Sequence, residues 1–175
     1  MGENLAVIGC GYVGTTLAEY WQQRGHRVVG TTTRFERVAA LPKTLSEAQV
    51  VRGHNFQEVS GTISGQDTVV VSIAPLRSQV GDAEIYAATY LPMAQNLKKA
   101  IQQSDSRLQV IYLSSCSIYG DHQGEWVDET TPIVPTTEHI RILQEAEQML
   151  LQAGNDIKKV CILSLGGIYG PGREL

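Results

Sequence analysis

Short apolar runs alternate with longer amphipathic stretches along the whole chain. Leu5-Ala6-Val7-Ile8 is unbroken and stops at a glycine, which predicts a buried strand. Thr15 to Arg24 reads as a helix with Leu17, Ala18 and Trp21 on one face. Gly25-His26 ends it, because glycine tolerates the left-handed backbone that a helix stop often needs. Arg27 to Thr31 is a second strand, Glu36 to Leu41 a short helix stopped by Pro42, and Gln49 to Arg52 a weak third strand. Asp67 to Ile73 contains the β-branched run Thr68-Val69-Val70-Val71 and predicts a fourth strand. Ala83 to Gln103 is a long helix with Pro92 inside it, where a kink or break is expected. Leu108 to Leu113 is a fifth strand, and residues 120–135 form a loop rich in Gly, Asp, Thr and Pro. Thr136 to Ala153 is a helix with Ile140, Leu143, Ala146, Glu147 and Leu150 on neighbouring faces, and Val160 to Leu163 is a sixth strand. Continuous apolar strands joined by helices predict an α/β fold with about six parallel strands, covered on both faces in three layers.

The 175 residues suit one domain, 1–175, with a sizeable core. A formal charge of −4 argues against a nucleic-acid footprint, which needs a basic stripe. The sequence has no 18-residue apolar run, so no membrane span is expected. Met1 to Ile8 lacks a basic start, a long apolar stretch and a cleavage site, which predicts a cytoplasmic protein without a signal peptide. Cys10, Cys116 and Cys161 are odd in number and far apart with no CxxC pair, which supports neither a disulfide framework nor a metal site.

Gly9-Cys10-Gly11-Tyr12-Val13-Gly14 is a GxGxxG that leaves a strand and opens a helix. In that setting Gly9 permits the tight turn and Gly11 lets backbone approach a pyrophosphate. Gly14 lets the helix pack on the strand, and the free N–H groups from Tyr12 and Val13 onward face the phosphates. The end of the second strand bears on the choice of dinucleotide. A reader of the ribose 2′-hydroxyl would be Asp or Glu, but the sequence runs Thr31-Thr32-Thr33-Arg34-Phe35-Glu36-Arg37. Hydroxyls and two arginines suit a 2′-phosphate, so NADP(H) is expected over NAD(H), with Thr32, Thr33, Arg34 and Arg37 around it. The plainer reading of Arg34 and Arg37 is a pair of solvated charges.

Three further blocks follow the glycine turn in order. They are Val69 to Pro75, Tyr112-Leu113-Ser114-Ser115-Cys116-Ser117-Ile118-Tyr119-Gly120-Asp121, and Gly166-Gly167-Ile168-Tyr169-Gly170-Pro171-Gly172-Arg173. With them the chain resembles an extended short-chain dehydrogenase/reductase of the NAD-dependent epimerase/dehydratase type, whose members act on nucleotide sugars. The resemblance implies a Rossmann-like, doubly wound sheet in the order 3-2-1-4-5-6, with the cofactor across the strand C-termini. It implies that Ser115 hydrogen-bonds the reacting oxygen. Ser114 and the pair Ala74-Pro75 stand where cofactor contacts are made, and Thr32 takes the slot of the ribose-binding acid.

The resemblance breaks at the centre of the chemistry. The family carries YxxxK on the helix after the long loop, where tyrosine is the acid/base and lysine binds the nicotinamide ribose. Anchoring on Pro135 and Glu147 puts His139 in the tyrosine slot and Leu143 in the lysine slot, and the sequence has no YxxxK elsewhere. His139 is a surrogate acid/base by its titration range, and Tyr119 is a second conceivable proton donor. The plainer readings are favoured for both: a half-exposed helix histidine and a packing tyrosine. Cys116 reads as a small buried residue, and nothing requires Cys10 to react. Gly53 is followed by His54 where the family often has Asp for adenine, and the family's helix asparagine is replaced near Tyr90. This set resembles the atypical extended branch, which keeps NADP-binding turns and loses the tyrosine–lysine pair.

Extended members bind substrate with a region beyond the sixth strand, and the chain stops at Leu175 inside a recognisable motif. That favours a fragment of a longer enzyme over a stand-alone module, and uncovered apolar surface would favour self-association. Two functions stay open. One is hydride transfer on a sugar-nucleotide-like or related carbonyl/alcohol substrate. The other is a non-catalytic NADP-binding or redox-sensing module.

Overall fold

The computed structural model describes residues 2–75 and 82–174. Its six strands are β1 (Asn4–Ile8), β2 (Arg27–Thr32), β3 (Glu47–Val50), β4 (Thr68–Val71), β5 (Leu108–Ser115) and β6 (Lys158–Leu165). They form one parallel sheet in the order β3-β2-β1-β4-β5-β6, the Rossmann-like arrangement expected. The order reverses between β1 and β4, so a crevice opens at the carboxyl ends of these two strands, where Ile8 pairs with Val71. The α-helices are α1 (Tyr12–Gln22), α2 (Phe56–Ile63), α3 (Ala83–Gln103) and α4 (Glu138–Leu151).

Side-chain alternation along the strands divides the core in two. Ala6, Ile8, Val69, Val71, Val110 and Tyr112 bury one face under α2, α3 and α4, which contribute Val59, Met93, Leu97, Ile101 and Leu150. Leu5, Val7 and Val28 bury the other face under Ala18 and Trp21 of α1, with Leu41 and Leu45 closing the edge. That second layer stops short. On β5 and β6 the same face carries Ile111, Leu113, Cys161, Leu163 and Leu165, all partly or fully open, with Leu163 43% exposed. Cover on both faces therefore holds over β3-β2-β1-β4 and is incomplete over β5-β6 among the described residues.

Several boundaries move for identifiable reasons. α1 starts at Tyr12 rather than Thr15, because Gly11 itself is the N-cap residue. The short helix before Pro42 is a 3-10 helix over Phe35–Ala40. β3 lies two residues ahead of its expected position; it is an edge strand of sequence Glu-Ala-Gln-Val, with little apolar signal to fix its register. α2 was not expected, although Phe56, Val59 and Ile63 stand at i, i+3 and i+7 and pack on the core. It is eight residues long with a glycine inside, and its start is marked by a cap: the Asn55 side chain accepts from the Glu58 N–H at 3.2 Å. Pro92 breaks nothing, and α3 runs through it. The carbonyl it leaves without a helical donor belongs to Ala88, an exposed residue within reach of water. β5 and β6 both run on to their second serine–leucine level, which puts Ser114 and Ser115 at a strand end beside Ser164 and Leu165.

Candidate dinucleotide site and catalytic corner

The glycine turn is built for three separate reasons. Gly9 has φ +97°, and a Cβ there would stand 2.5 Å from the Ser72 carbonyl oxygen at the end of β4. A Cβ on Gly14 would collide with the Gly9 carbonyl, so α1 rests directly on the turn. Around Gly11, among the described residues, there is nothing within 4 Å of where a Cβ would go. Protein packing explains the first and third glycines and leaves the middle one facing open space. The Gly9 N–H donates to Thr31 Oγ1 at 3.0 Å and the Cys10 N–H to the Thr31 carbonyl at 2.7 Å, tying the turn to β2.

The start of α1 differs from the other helix starts. α2 is capped by Asn55, α3 by Asp82 and α4 by Thr137, each through a side-chain oxygen. α1 has glycine at its N-cap and no side-chain cap. The amides of Tyr12, Val13 and Gly14 have no intrahelical acceptor, and the helix adds a partial positive charge there. Free donors beside an open cradle fit an oxyanion ligand such as a diphosphate.

At the β2 end, Thr31 spends its hydroxyl on Gly9, and Thr32 is 7% exposed. Thr33, Arg34 and Arg37 are exposed, with Arg34 Nε 3.8 Å from a Glu36 oxygen. Ala74 and Pro75 follow β4, Ala74 exposed and Pro75 half-buried. Cys10 lies in the smaller core, its sulfur against Gly30, and burial pushes its thiol up. Gly53 packs against Met93 and its carbonyl accepts from Asn96 Nδ2 at 2.8 Å, while His54 is exposed.

The second corner lies where β5 meets α4. Ser115 caps a 3-10 turn, Cys116–Tyr119, and its Oγ accepts the Ser117 N–H at 3.2 Å. Its own hydroxyl hydrogen stays available to donate to an oxygen. Ser114 turns the other way and donates to Glu147 of α4. Tyr119 is half-buried against the large core. His139 is half-buried with its ring edge-on to Tyr86 of α3, centroids 4.5 Å apart, and its buried Nε2 has no hydrogen-bond partner among the described residues. Leu143 is 4% exposed within the large core. Cys116 is exposed, not buried as expected, because the 3-10 turn that Ser115 starts carries it outward.

Glu147 is the residue here whose role the sequence leaves unstated. It stands in the apolar stripe of α4 and is 7% exposed; burial pushes its carboxyl up, against the lowering pull of the Ser114 hydroxyl. Tyr112 beside it, and Tyr90 next to Tyr112, are also pushed up, by burial first. An acid inside a stripe of Ile, Leu and Ala was its visible signal; its partner lies 33 residues away and was not.

The model of the NAD dependent epimerase/dehydratase family matches residues 5–175. The chain belongs to that family. It is 32% identical over 177 residues to Protein YeeZ of Escherichia coli strain K12, covering 98% of this chain and 61% of that protein. The chain thus spans less than two thirds of that curated relative's length. Among solved structures, the Bordetella bronchiseptica enzyme WbmH in complex with NAD+ is 20% identical with a TM-score of 0.81, over 100% of this chain and 59% of that one. The UDP-Glc/GlcNAc 4-epimerase from Campylobacter jejuni is 22% identical with a TM-score of 0.76, over 93% and 53%. Both show the fold. No helix among the described residues is long and apolar enough to cross a membrane.

Proposed function

We propose that residues 1–175 are the NADP(H)-binding domain of an atypical extended short-chain dehydrogenase/reductase acting by hydride transfer. The substrate class is a sugar nucleotide or a related carbonyl or alcohol, in a cytoplasmic setting. The observation that carries this is the middle glycine: Gly11 faces open space beside an uncapped helix start, and a ligand diphosphate accounts for both. When bound, the dinucleotide supplies the hydride donor or acceptor. The amides of Tyr12, Val13 and Gly14 hold its diphosphate. Thr33, Arg34 and Arg37 follow a strand whose end lacks the ribose-reading acid, and two guanidiniums against the single carboxylate of Glu36 suit a 2′-phosphate. Ser115 donates to the reacting oxygen, and His139 or Tyr119 exchanges the proton. WbmH holds NAD+ in its structure, which supports a nicotinamide dinucleotide and makes the choice between NADP and NAD the point to test. Calorimetric titration with NADPH and NADH is expected to show tighter NADPH binding, with Arg34→Ala removing most of the difference. Equal affinities contradict the NADP assignment.

A second reading, a non-catalytic dinucleotide-binding module, is favoured by one observation. The lysine slot is core, since Leu143 is 4% exposed, and the buried face of His139 bears its unpartnered Nε2. The burial of Cys10 argues against that thiol as a redox sensor. Turnover on any member of a carbonyl and sugar-nucleotide panel, slowed by Ser115→Ala, supports the enzyme; NADPH binding without turnover supports the module.

A further inference from the structure

Beyond β6 the chain folds back onto the glycine turn. The Gly170 N–H donates to the Arg173 carbonyl and the Arg173 N–H to the Gly170 carbonyl, both at 2.8 Å. These bonds close a four-residue turn with φ +149° at Gly170 and +73° at Gly172, angles that favour glycine. A Cβ on Gly170 would stand 2.5 Å from the Tyr12 hydroxyl oxygen, so the turn lies against that ring. The Arg173 guanidinium carbon is 5.6 Å from the Tyr12 ring centroid. Tyr12 is the first residue of α1, directly after Gly11. Among the described residues Arg173 makes no ion pair. The segment from Gly9 to Thr16 has no basic side chain, and a helix end supplies only a fraction of one charge against the two of a diphosphate.

We propose that Arg173 is a phosphate-binding residue of the nucleotide site, carried to the start of α1 by the Gly170–Arg173 turn and braced on the Tyr12 ring. This rests on the reading that the glycine turn binds a dinucleotide. Guanidinium recognises diphosphate through paired N–H donors, so the ligand is a nucleoside diphosphate unit. It belongs either to the dinucleotide or to a nucleotide-bearing substrate.

The test is calorimetric titration of the full chain with NADPH, ADP-ribose and UDP, for wild type, Arg173→Ala and Arg173→Lys. Arg173→Ala is expected to weaken NADPH and ADP-ribose about tenfold, the loss typical of one charge-assisted hydrogen bond, and to flatten the salt dependence of binding. Arg173→Lys should recover part of the affinity, which separates lost charge from a misfolded variant. Weakening of UDP alone assigns the same arm to the substrate's diphosphate. Wild-type uptake of NADPH with unchanged affinities in Arg173→Ala for all three ligands overturns the inference and leaves the dinucleotide reading standing. A wild type that binds none of the three overturns both.

Discussion

Among the described residues, the start of α1 has backbone amides without partners beside open space, whereas the start of α4 is capped and its neighbouring slots are filled with core. Thr137 caps α4, Leu143 is buried where the family has lysine, and His139 leans on Tyr86. The first corner is shaped by something other than packing; the second is shaped largely by packing. A chain can keep the geometry that holds a diphosphate while the groups that move a proton are replaced.

The largest effect should come from putting the family's lysine back. Leu143→Lys buries an ammonium in the core and is expected to cost about 3 kcal/mol or more in chemical denaturation. A cost under ~1 kcal/mol would mean that the slot opens to the crevice. Next is Gly14→Ala, whose methyl meets the Gly9 backbone; overpacking there should cost about 2 kcal/mol and weaken dinucleotide binding. Gly11→Ala sharpens the contrast, since its methyl meets nothing. Its melting temperature should stay within a degree or two of wild type, while dinucleotide affinity falls at least about tenfold. A Gly11→Ala protein that binds normally would remove the reason for calling the cradle a ligand site.

The smallest effect concerns Glu147. Its carboxyl is pushed up by burial, so across the interval from the ordinary carboxylate range to that raised value the folded chain holds a proton that the unfolded chain has lost. Stability then falls as pH rises through that interval and is flat above it. Glu147→Gln keeps an oxygen to accept from Ser114 and abolishes this dependence. Its advantage over wild type should be nil in acid and grow as pH rises through the interval, measured by urea unfolding at several pH values.

Most strands and the glycine turn were legible in unbroken apolar runs and in a GxGxxG at a strand–helix junction, and the strand order followed from the family resemblance. α2 was missed because it is only eight residues long with Gly61 inside, so Phe56, Val59 and Ile63 give barely two turns of helical period; the Asn55 and Glu58 cap was its other signal. The open face of β5 and β6 was hidden for another reason: Cys161 and Leu163 look like core residues whether or not a layer lies on them. Thr31 illustrates a third limit. The threonine cluster was read toward a cofactor, and its first hydroxyl instead holds the Gly9 amide, a bond across 22 residues that no local pattern announces.

The most direct measurement is the amide NMR spectrum of labelled protein with increasing NADPH. The N–H signals of Tyr12, Val13 and Gly14 should shift together and saturate with one ligand per chain, while those at the start of α4, beginning with Ile140, respond weakly. If those three signals stay put at saturating NADPH, the start of α1 holds no diphosphate and the account fails.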